Sequence, residues 1–306
     1  MFVYEGETMS IRRILMRIGG ALGVAMLACG WVALQSARSA RRELRPPRTR
    51  GARETVATEL PGMEDARLST SDGIELAAWY VPSVNGAAVV LGHGLGANRT
   101  QLLPQARALT QAGFGVLLLD WRAHGDSGGD LCTWGDHERR DVSVALDFLA
   151  SRADVEPGRI GGLGLSMGST SLIMGAARDP RLSSLMLEAT SSSIEDGAAL
   201  DPPRWGPIST WPALEVFRRA GVDVSAVRPI DVLGGFAPGK LLLVYGEKDP
   251  WVPPEMVQKM TKAVQTPEQV WVVPGAGHGD CWNVAGPLYS ERMIAFFRGA
   301  LLSPRP

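Results

Sequence analysis

Short apolar runs alternate with longer stretches of helical spacing along most of this chain. From about Glu64 onward the apolar runs are rich in Val, Leu and Ile, which is typical of buried strands. The predicted strands are 66–70, 75–81, 87–91, 115–119, 159–165, 184–187, 241–245 and 270–273. The predicted helices are 102–111, 135–151, 169–178 and 289–301. This alternation predicts an α/β fold, with a mostly parallel, eight-stranded sheet and helices on both faces.

The segment 190–235 interrupts the alternation, because it is rich in Pro and Trp and has one short helical stretch around 213–220. It follows the sixth predicted strand, so we expect a small lid insertion over the strand ends. Its apolar side chains suit the cover of a substrate pocket, although an ordinary surface excursion is the alternative. Residues 64–306 are predicted to form one domain that includes this lid.

The N-terminal region differs from the rest of the chain, because no residue between Ile18 and Ala37 is charged. Arginines precede this stretch, and its length fits one membrane crossing. Residues 1–17 are predicted to be a cytoplasmic or exposed n-region, and 18–37 a single-pass transmembrane anchor in a bacterial inner membrane. The alternative is a signal segment with a weak cleavage site at 37–39, which would leave the domain secreted or periplasmic.

Residues 38–63 are rich in Arg and Pro and are predicted to link the anchor to the domain. Their cations suit contact with anionic head groups, and a solvated linker is the alternative. Six arginines lie within 38–50, and the positive-inside rule then places the domain in the cytoplasm. Signal anchors commonly have the opposite orientation, so the side of the membrane stays open.

Composition and residue spacing limit the partners and cofactors that this chain is expected to bind. The 306 residues carry a net charge of −1, which leaves no electrostatic footprint for nucleic acid. No His–carboxylate cluster has metal-ligand spacing and no phosphate-binding loop is present, so neither a metal nor an organic cofactor is expected. Cys132 and Cys281 either pair in an oxidising compartment or remain free thiols.

A Gly-x-Ser-x-Gly pattern at residues 164–168 joins a predicted strand to a predicted helix. In this context the pattern predicts a nucleophile elbow, a tight turn that lifts the hydroxyl of Ser166 into solvent. Glycines are needed on both sides because a Cβ there would collide with the neighbouring backbone. The pattern also arises by chance in a chain with 36 glycines, so its meaning depends on a base and an acid elsewhere.

His278 is the candidate base, since it lies in a glycine-rich loop directly after the last predicted strand. Asp249 is the candidate acid, in a tight turn after the preceding strand, and Glu188 is an alternative acid. A serine hydroxyl is a weak nucleophile until a base removes its proton and a third group orients that base. The order Ser166, Asp249, His278 is the one expected of an α/β-hydrolase.

Two backbone N–H groups are expected to form an oxyanion hole. One is the amide of Met167, immediately after the nucleophile. The other is the amide of Leu95, in the glycine-containing loop 91–98 that follows the third predicted strand. We expect His93 to hold that loop in shape rather than to transfer protons.

Several motifs together resemble the α/β-hydrolase superfamily, within it the bacterial serine esterases and thioesterase-like hydrolases. They are residues 93–94, 120–127, 164–168, 246–249 and 277–278. The resemblance covers roughly residues 64–302 and implies the α/β-hydrolase fold. It also implies that Arg122, His124 and Ser127 brace the floor of the site. The chain departs from the family pattern at Ala123, where glycine is usual, and at Tyr245, where histidine is frequent.

The expected function is that of a serine hydrolase that cleaves an acyl ester through an acyl-enzyme on Ser166. The expected substrate is a small-molecule or lipid acyl ester. A thioesterase and a peptidase-like hydrolase are the alternatives within the same fold. A non-catalytic, membrane-tethered binding module is the alternative of another class.

Overall fold

The computed structural model describes residues 11–200 and 204–303. Its eight strands are β1 (Glu64–Ser69), β2 (Glu75–Val81), β3 (Ala88–Gly92), β4 (Gly115–Leu119), β5 (Ile160–Leu165), β6 (Leu182–Glu188), β7 (Leu241–Gly246) and β8 (Val270–Val273). The α-helices are α1 (Ile11–Leu44), α2 (Arg53–Glu59), α3 (Leu103–Gln111), α4 (Glu138–Ala150), α5 (Met167–Ala176), α6 (Ile194–Leu200), α7 (Pro207–Arg219), α8 (Pro254–Thr261), α9 (Cys281–Ala285) and α10 (Pro287–Phe297). A short π-helix, Arg298–Leu302, extends α10.

The strands form one sheet in the order β1-β2-β4-β3-β5-β6-β7-β8. β1 and β2 form an antiparallel hairpin, β2 is antiparallel to β4, and all the other neighbours are parallel. From β3 the chain moves to β4, toward the β1 edge of the sheet, whereas from β5 it moves to β6, toward the β8 edge. Right-handed crossovers therefore place α3 on one face of the sheet and α5 on the other. The predicted mostly parallel, eight-stranded α/β architecture is confirmed.

The core lies around the central strands, because every residue of β3, β4 and β5 is buried. Continuous apolar runs of this kind are what a sheet covered on both faces requires. β5 contains glycines at positions where side chains of neighbouring elements approach its backbone closely. A Cβ added to Gly161 would lie 2.8 Å from Cε1 of Phe297 in α10. The central strand thus lies directly against the helix that covers it, and it ends at the serine of the elbow.

α1 is longer than the uncharged stretch 18–37, since it begins at Ile11 and ends at Leu44. It is long and apolar enough to cross a membrane, a property that signal sequences and buried helices share. Between Leu15 and Trp31 its side chains are mostly exposed, and from Val32 onward one stripe is buried. The stripe has a spacing of four residues and consists of Val32, Ser36, Ala40 and Leu44, where α1 packs along α7.

Residues 38–63, predicted to be a linker, pack against the domain. α1 continues to Leu44, whose carbonyl accepts a hydrogen bond of 2.9 Å from the N–H of Cys132. Nη1 of Arg48 donates to the carbonyl of Ser127 at 2.5 Å. In and after α2, the side chains of Val56 and Leu60 are buried in the main core. The apolar residues scattered among the arginines provide this packing, so arginine and proline content alone did not predict it.

The segment 190–235 does lie after the sixth strand, as predicted for the lid. It holds α6, α7 and two short 3₁₀ turns at Pro229–Asp231 and Leu233–Gly235. α7 begins at Pro207, earlier than the helical stretch predicted around 213–220. Pro at the first helical position explains this start, because its missing N–H would have no partner within the helix. Buried residues of α7 form a second apolar cluster with Ala40 and Leu44 of α1.

The close contact of α4 and α5 gives a test of the packing. A Cβ added to Gly175 of α5 would lie 2.5 Å from Cγ1 and 2.6 Å from Cβ of Val142 in α4. The β-branched valine has little rotamer freedom in a helix, so the helices would have to separate. Overpacking costs about 1–3 kcal/mol, which outweighs the gain of about 1 kcal/mol in helix propensity. We expect Gly175→Ala to lower the free energy of unfolding, measured by chemical denaturation in detergent.

Gly299→Ala is the matched control, because an added Cβ at that helical position meets nothing within 4 Å. We expect its stability to equal or exceed that of the wild type. Equal stability of the two variants would contradict the close helix contact.

Candidate active site

Ser166 lies in the tight turn between β5 and α5. Its backbone angles are φ 54° and ψ −117°, an uncommon conformation for a residue with a side chain. A Cβ on Gly164 would lie 2.6 Å from Cα of Ser169, and one on Gly168 would lie 2.2 Å from the carbonyl oxygen of Gly92. The flanking glycines are therefore required by the close approach of β3, β5 and α5. The turn has the geometry of a nucleophile elbow.

His278 and Asp249 complete a continuous hydrogen-bonded chain with Ser166. Nε2 of His278 lies 3.0 Å from Oγ of Ser166, and its Nδ1 lies 2.8 Å from Oδ2 of Asp249. Asp249 is buried at the end of β7, and its Oδ1 accepts the N–H groups of Trp251 at 2.8 Å and Val252 at 3.1 Å. The turn after β7 thus holds the carboxylate in one orientation, and loops after three different strands bring the three groups together.

Glu188 does not take the place of Asp249. Its carboxylate accepts hydrogen bonds from the N–H of Cys281 at 3.1 Å and from the hydroxyl of Tyr289 at 2.8 Å. Burial raises the pKa of this carboxyl group. The side chain therefore fastens α9 and α10 to the end of β6, and His278 has Asp249 as its carboxylate partner.

In the loop after β3, the amides on both sides of Leu95 are bonded within the protein. The N–H of Gly94 donates to Oε1 of Gln101 at 2.7 Å, and that of Gly96 donates to Nε2 of His124 at 3.1 Å. Leu95, between them, lines the cavity beside Ser166, and no hydrogen bond among the described residues uses its N–H. Met167 is the first residue of α5. Leu95 thus lies at the wall of the cavity that Ser166 also lines, and Met167 directly follows Ser166 in the chain.

His93 and His124 support this loop from below as neutral side chains. Nδ1 of His93 donates to the carbonyl of Gly94 at 2.8 Å, and Nε2 accepts the N–H of Trp121 at 3.2 Å. Burial, with a smaller contribution from His124, lowers the pKa of His93 to about 3. Burial also lowers the pKa of His124. Imidazoles that stay neutral in this way fit the predicted role of His93 in holding the loop.

The segment 120–127 forms a polar floor whose groups are all paired. Asp120 accepts the N–H groups of Arg99 at 2.6 Å and Asp126 at 2.9 Å. Arg122 is buried, with its Nε 2.9 Å and its Nη2 2.5 Å from Oδ1 of Asp141. The Oγ of Ser127 donates to the carbonyl of Asp120 at 2.6 Å. These contacts agree with the bracing role expected of Arg122 and Ser127.

A cavity of about 350 Å³ opens beside Ser166 and His278. Most of its wall is apolar, and α6, α7 and the loops after β3 and β7 contribute to it. Its apolar wall includes Leu95, Trp134, Leu165, Ile194, Ala213, Phe217, Trp251 and Val252. The predicted lid therefore does cover the site. An apolar cavity with polar groups at one end suits a ligand with an apolar chain.

The sequence analysis missed several residues of the cavity wall. Glu43 of α1 lines the cavity, although it falls in the segment predicted to be a linker. Gln101 also lines it without belonging to a recognised motif. The four-residue spacing of the buried α1 stripe was a signal that this helix packs on the domain.

Metal and disulfide chemistry find little support at this site. Within residues 11–200 and 204–303, no group of three or more His, Cys, Asp or Glu side chains could hold a metal ion. Cys132 and Cys281 are both buried, and they are not joined to each other. Burial raises the pKa of both thiols, so neither is an activated nucleophile.

A sequence model of the Alpha/beta hydrolase family matches residues 89–289, about two thirds of the chain. Together with the sheet order and the elbow, this match shows that the chain belongs to the α/β-hydrolase family. An uncharacterized protein of Mycobacterium tuberculosis is 29% identical over 234 residues, which cover 74% of this chain and 76% of that protein.

Two further relatives agree with this family. The alpha/beta hydrolase domain-containing protein WAV2 of Arabidopsis thaliana is 27% identical over 248 residues, covering 76% of this chain and 78% of that protein. Among solved structures, an esterase from Pyrococcus furiosus superposes with a TM-score of 0.69 and is 23% identical. That likeness covers 85% of this chain and 98% of the esterase, and it shows the common fold.

The buried ion pair in the floor of the site can be tested by removing its cation. We expect Arg122→Met to lower the free energy of unfolding by about 3–5 kcal/mol, because it leaves the fully buried Asp141 without its partner. Chemical denaturation in detergent measures the difference.

Arg181→Met is the control, since Arg181 also pairs with an aspartate, Asp179, but is 38% exposed. We expect this substitution to cost less than about 1 kcal/mol. A similar loss in both variants would contradict the structural importance of the buried pair.

Proposed function

We propose that this protein is a serine hydrolase that cleaves acyl esters by transferring the acyl group to Ser166. The observation that carries the proposal is the hydrogen-bonded chain from Asp249 through His278 to Ser166, at one end of an apolar cavity. In this family such a chain activates an otherwise weak nucleophile. We also infer that α1 holds the domain at a membrane, since it is long and apolar enough to cross one.

His278 is the general base in this mechanism. Its Nε2 takes the proton from Oγ of Ser166 as that oxygen attacks the acyl carbon, and then gives the proton to the leaving alcohol. Water then attacks the acyl-enzyme while it loses a proton to the same nitrogen, and this proton passes to Oγ of Ser166 as the bond to the acyl carbon breaks and the carboxylic acid leaves. Asp249 accepts the Nδ1–H of His278, so it selects the productive tautomer and stabilises the imidazolium that forms twice in each cycle.

The amides of Leu95 and Met167 are the proposed donors to the tetrahedral intermediate. Both lie at the serine, and the N-terminus of α5 adds a favourable dipole for developing negative charge. The bonds from Gly94 to Gln101 and from Gly96 to His124 hold the Leu95 amide in place before substrate binds. Such preorganised donors cost no rearrangement at the moment of reaction.

The cavity wall favours a substrate whose acyl part is an alkyl chain. Side chains such as Ile194, Phe217 and Val252 offer no charge or strong donor to a polar acyl group. A carboxylic ester is therefore the proposed bond. Thioesters and amides would use the same nucleophile, and they form comparison substrates in the tests.

A fluorophosphonate probe tests the nucleophile. We expect the full-length wild type in detergent to be labelled covalently, Ser166→Ala to show no labelling, and His278→Ala to be labelled at least about 10³-fold more slowly. Ser169→Ala is the control, because Ser169 is buried in α5 with its hydroxyl donating to the carbonyl of Glu188 at 2.8 Å. Labelling that persists in Ser166→Ala would overturn the assignment. A wild type that is neither labelled nor active on esters would favour a binding module.

The acid is tested by Asp249→Asn, which keeps the shape of the side chain but can donate to His278 and favour the wrong tautomer. We expect kcat for a p-nitrophenyl ester to fall by about 10³–10⁴. Asp280→Asn is the control, since its carboxylate is bonded to Asn283 at 3.0 Å rather than to His278. Equal losses in the two variants would contradict the role of Asp249.

Acyl-chain length tests the cavity. We expect kcat/KM on p-nitrophenyl esters to rise from acetate by up to about fourfold for each added methylene, because burial of one CH₂ group gains about 0.8 kcal/mol. The rise should stop when the cavity is full. A steady fall from acetate to longer chains would contradict an acyl-binding cavity, and faster turnover of matched thioesters or amides would reassign the bond.

A further inference from the structure

α1 packs along α7, and the buried stripe of α1 extends into its uncharged length. The uncharged stretch between Arg17 and Arg38 has 20 residues, and so a length of about 30 Å, the thickness of a bilayer core. The buried stripe begins at Val32, six residues before Arg38. If α1 crosses a membrane, the first part of α7 therefore lies beside the last turns of the crossing, at the membrane surface.

α1 and α7 run in the same direction. α1 ends where the carbonyl of Leu44 bonds to Cys132, and the chain just after α7 bonds to the same loop, from the N–H of Asp223 to Oδ2 of Asp136 at 2.9 Å. Ala40 and Leu44 at the end of α1 share an apolar cluster with residues of the second half of α7, such as Phe217. The first turn of α7 consequently lies on the side from which α1 arrives.

The two halves of α7 differ in charge and in exposed apolar surface, as expected of a helix that lies at a membrane surface. From Trp205 to Leu214 the chain has no charged residue, whereas Glu215, Arg218 and Arg219 follow in the half next to the domain. The uncharged half exposes large apolar side chains, with Trp205 at 50%, Ile208 at 40% and Trp211 at 62% of their surface. Tryptophan is favoured at membrane–water interfaces because its ring is apolar and its N–H is polar.

This exposed surface continues to the rim of the cavity. Nη2 of Arg204 donates to the carbonyl of Pro250 at 2.7 Å, which joins the start of α7 to the loop that carries Trp251. Trp251 lines the cavity and is partly exposed. The same helices form the cavity wall, with Glu43 from α1 and Ala213 from α7. We call Trp205, Ile208, Trp211 and Trp251 the tryptophan surface.

We propose that the tryptophan surface rests on the bilayer to which α1 anchors the protein, and that the substrate is an acyl lipid taken from that bilayer into the cavity. The chemistry rests on the proposed ester hydrolysis by Ser166, whereas the position of the surface does not. A lipid acyl chain that enters past Trp251 passes from one apolar medium to another, so its chain need not be exposed to water. The site would therefore favour esters embedded in a membrane over the same esters in solution.

The position of the surface is tested without reference to activity. The full chain with Cys29→Ser keeps only Cys132 and Cys281, which are both buried. Into it we would place Ile208→Cys or Val84→Cys, label each with a nitrobenzoxadiazole maleimide, and reconstitute it in phosphatidylcholine vesicles with and without 5-doxyl phosphatidylcholine. Val84 is the control, because it is 88% exposed and precedes β3, at the opposite end of the parallel strands from Ser166.

We expect the doxyl lipid to quench the label at position 208 and to leave the label at position 84 unquenched. Equal quenching at the two positions, or none at position 208, would overturn the proposal. The doxyl lipid could instead leave the emission at position 208 unchanged while the emission varies with the protein-to-lipid ratio. That result would identify a second copy of this chain as the partner of the tryptophan surface, and it would also overturn the proposal.

The access route is tested with two esters of the same fluorescent alcohol. 4-Methylumbelliferyl acetate is offered in solution, and 4-methylumbelliferyl oleate in the phosphatidylcholine vesicles that carry the enzyme. We expect Trp205→Ser with Trp211→Ser to lower oleate turnover about tenfold or more through lost interfacial contact, and to leave acetate turnover within about twofold. Val84→Ser should change neither, and Trp205→Phe with Trp211→Phe should restore oleate turnover.

The outcomes separate this inference from the proposed function. A wild type that hydrolyses neither ester and takes up no fluorophosphonate refutes the proposed function, while quenching at position 208 still supports the membrane contact. Hydrolysis of both esters that the tryptophan substitutions leave unchanged refutes lipid access and leaves the serine mechanism standing. Loss of oleate turnover in Val84→Ser as well would also refute the specific role of the tryptophan surface.

Discussion

The close backbone contact between the start of α5 and the end of β3 is the constraint on which the site depends. At Gly168 the two segments approach so closely that a Cβ would lie 2.2 Å from the carbonyl of Gly92. This contact sets the turn at Ser166, and the same end of β3 leads into the loop that carries Leu95. One packing contact therefore positions both Ser166 and the start of the loop that carries Leu95. The strain at Ser166, with φ 54°, is held by the surrounding sheet and helix.

A layer of paired polar side chains lies beneath the site. It provides hydrogen-bond partners for the loop after β3, which has no regular secondary structure. Asp120, Arg122, His93 and His124 each satisfy backbone or side-chain groups that would otherwise be buried without partners. Buried polar groups are stable only when they are fully paired, so this layer has one well-defined arrangement. The same layer holds the loop on both sides of Leu95, through the residues that bond to the N–H of Gly96 and to the carbonyl of Gly94.

Most of the fold and of the candidate site was predictable from local motifs in the sequence. The remainder depends on long-range packing. The strands and their mostly parallel sheet followed from alternating apolar runs, and Ser166, Asp249 and His278 each followed a strand in a recognisable glycine or proline turn. The position of Glu43 in the cavity wall was not predictable, because it depends on how α1 packs against α7. The packing of residues 38–63 on the domain was not predictable for a related reason. Their arginines and prolines suggest a solvated chain, while Leu44, Val56 and Leu60 bury enough apolar surface to fold it.

The buried stripe of α1 has a consequence for any processing of the N-terminus. Residues 37–39 lie inside a continuous helix whose neighbours Ser36 and Ala40 are buried. A protease that cut there would need to unwind this helix first, and the product would lack Val32 and Ser36 from the interface with α7. Part of α7 would lose its covering, and the cavity wall that α7 shares with Glu43 would lose one of its supports. Cleavage at residues 37–39 would therefore release the domain and at the same time weaken the wall of its pocket.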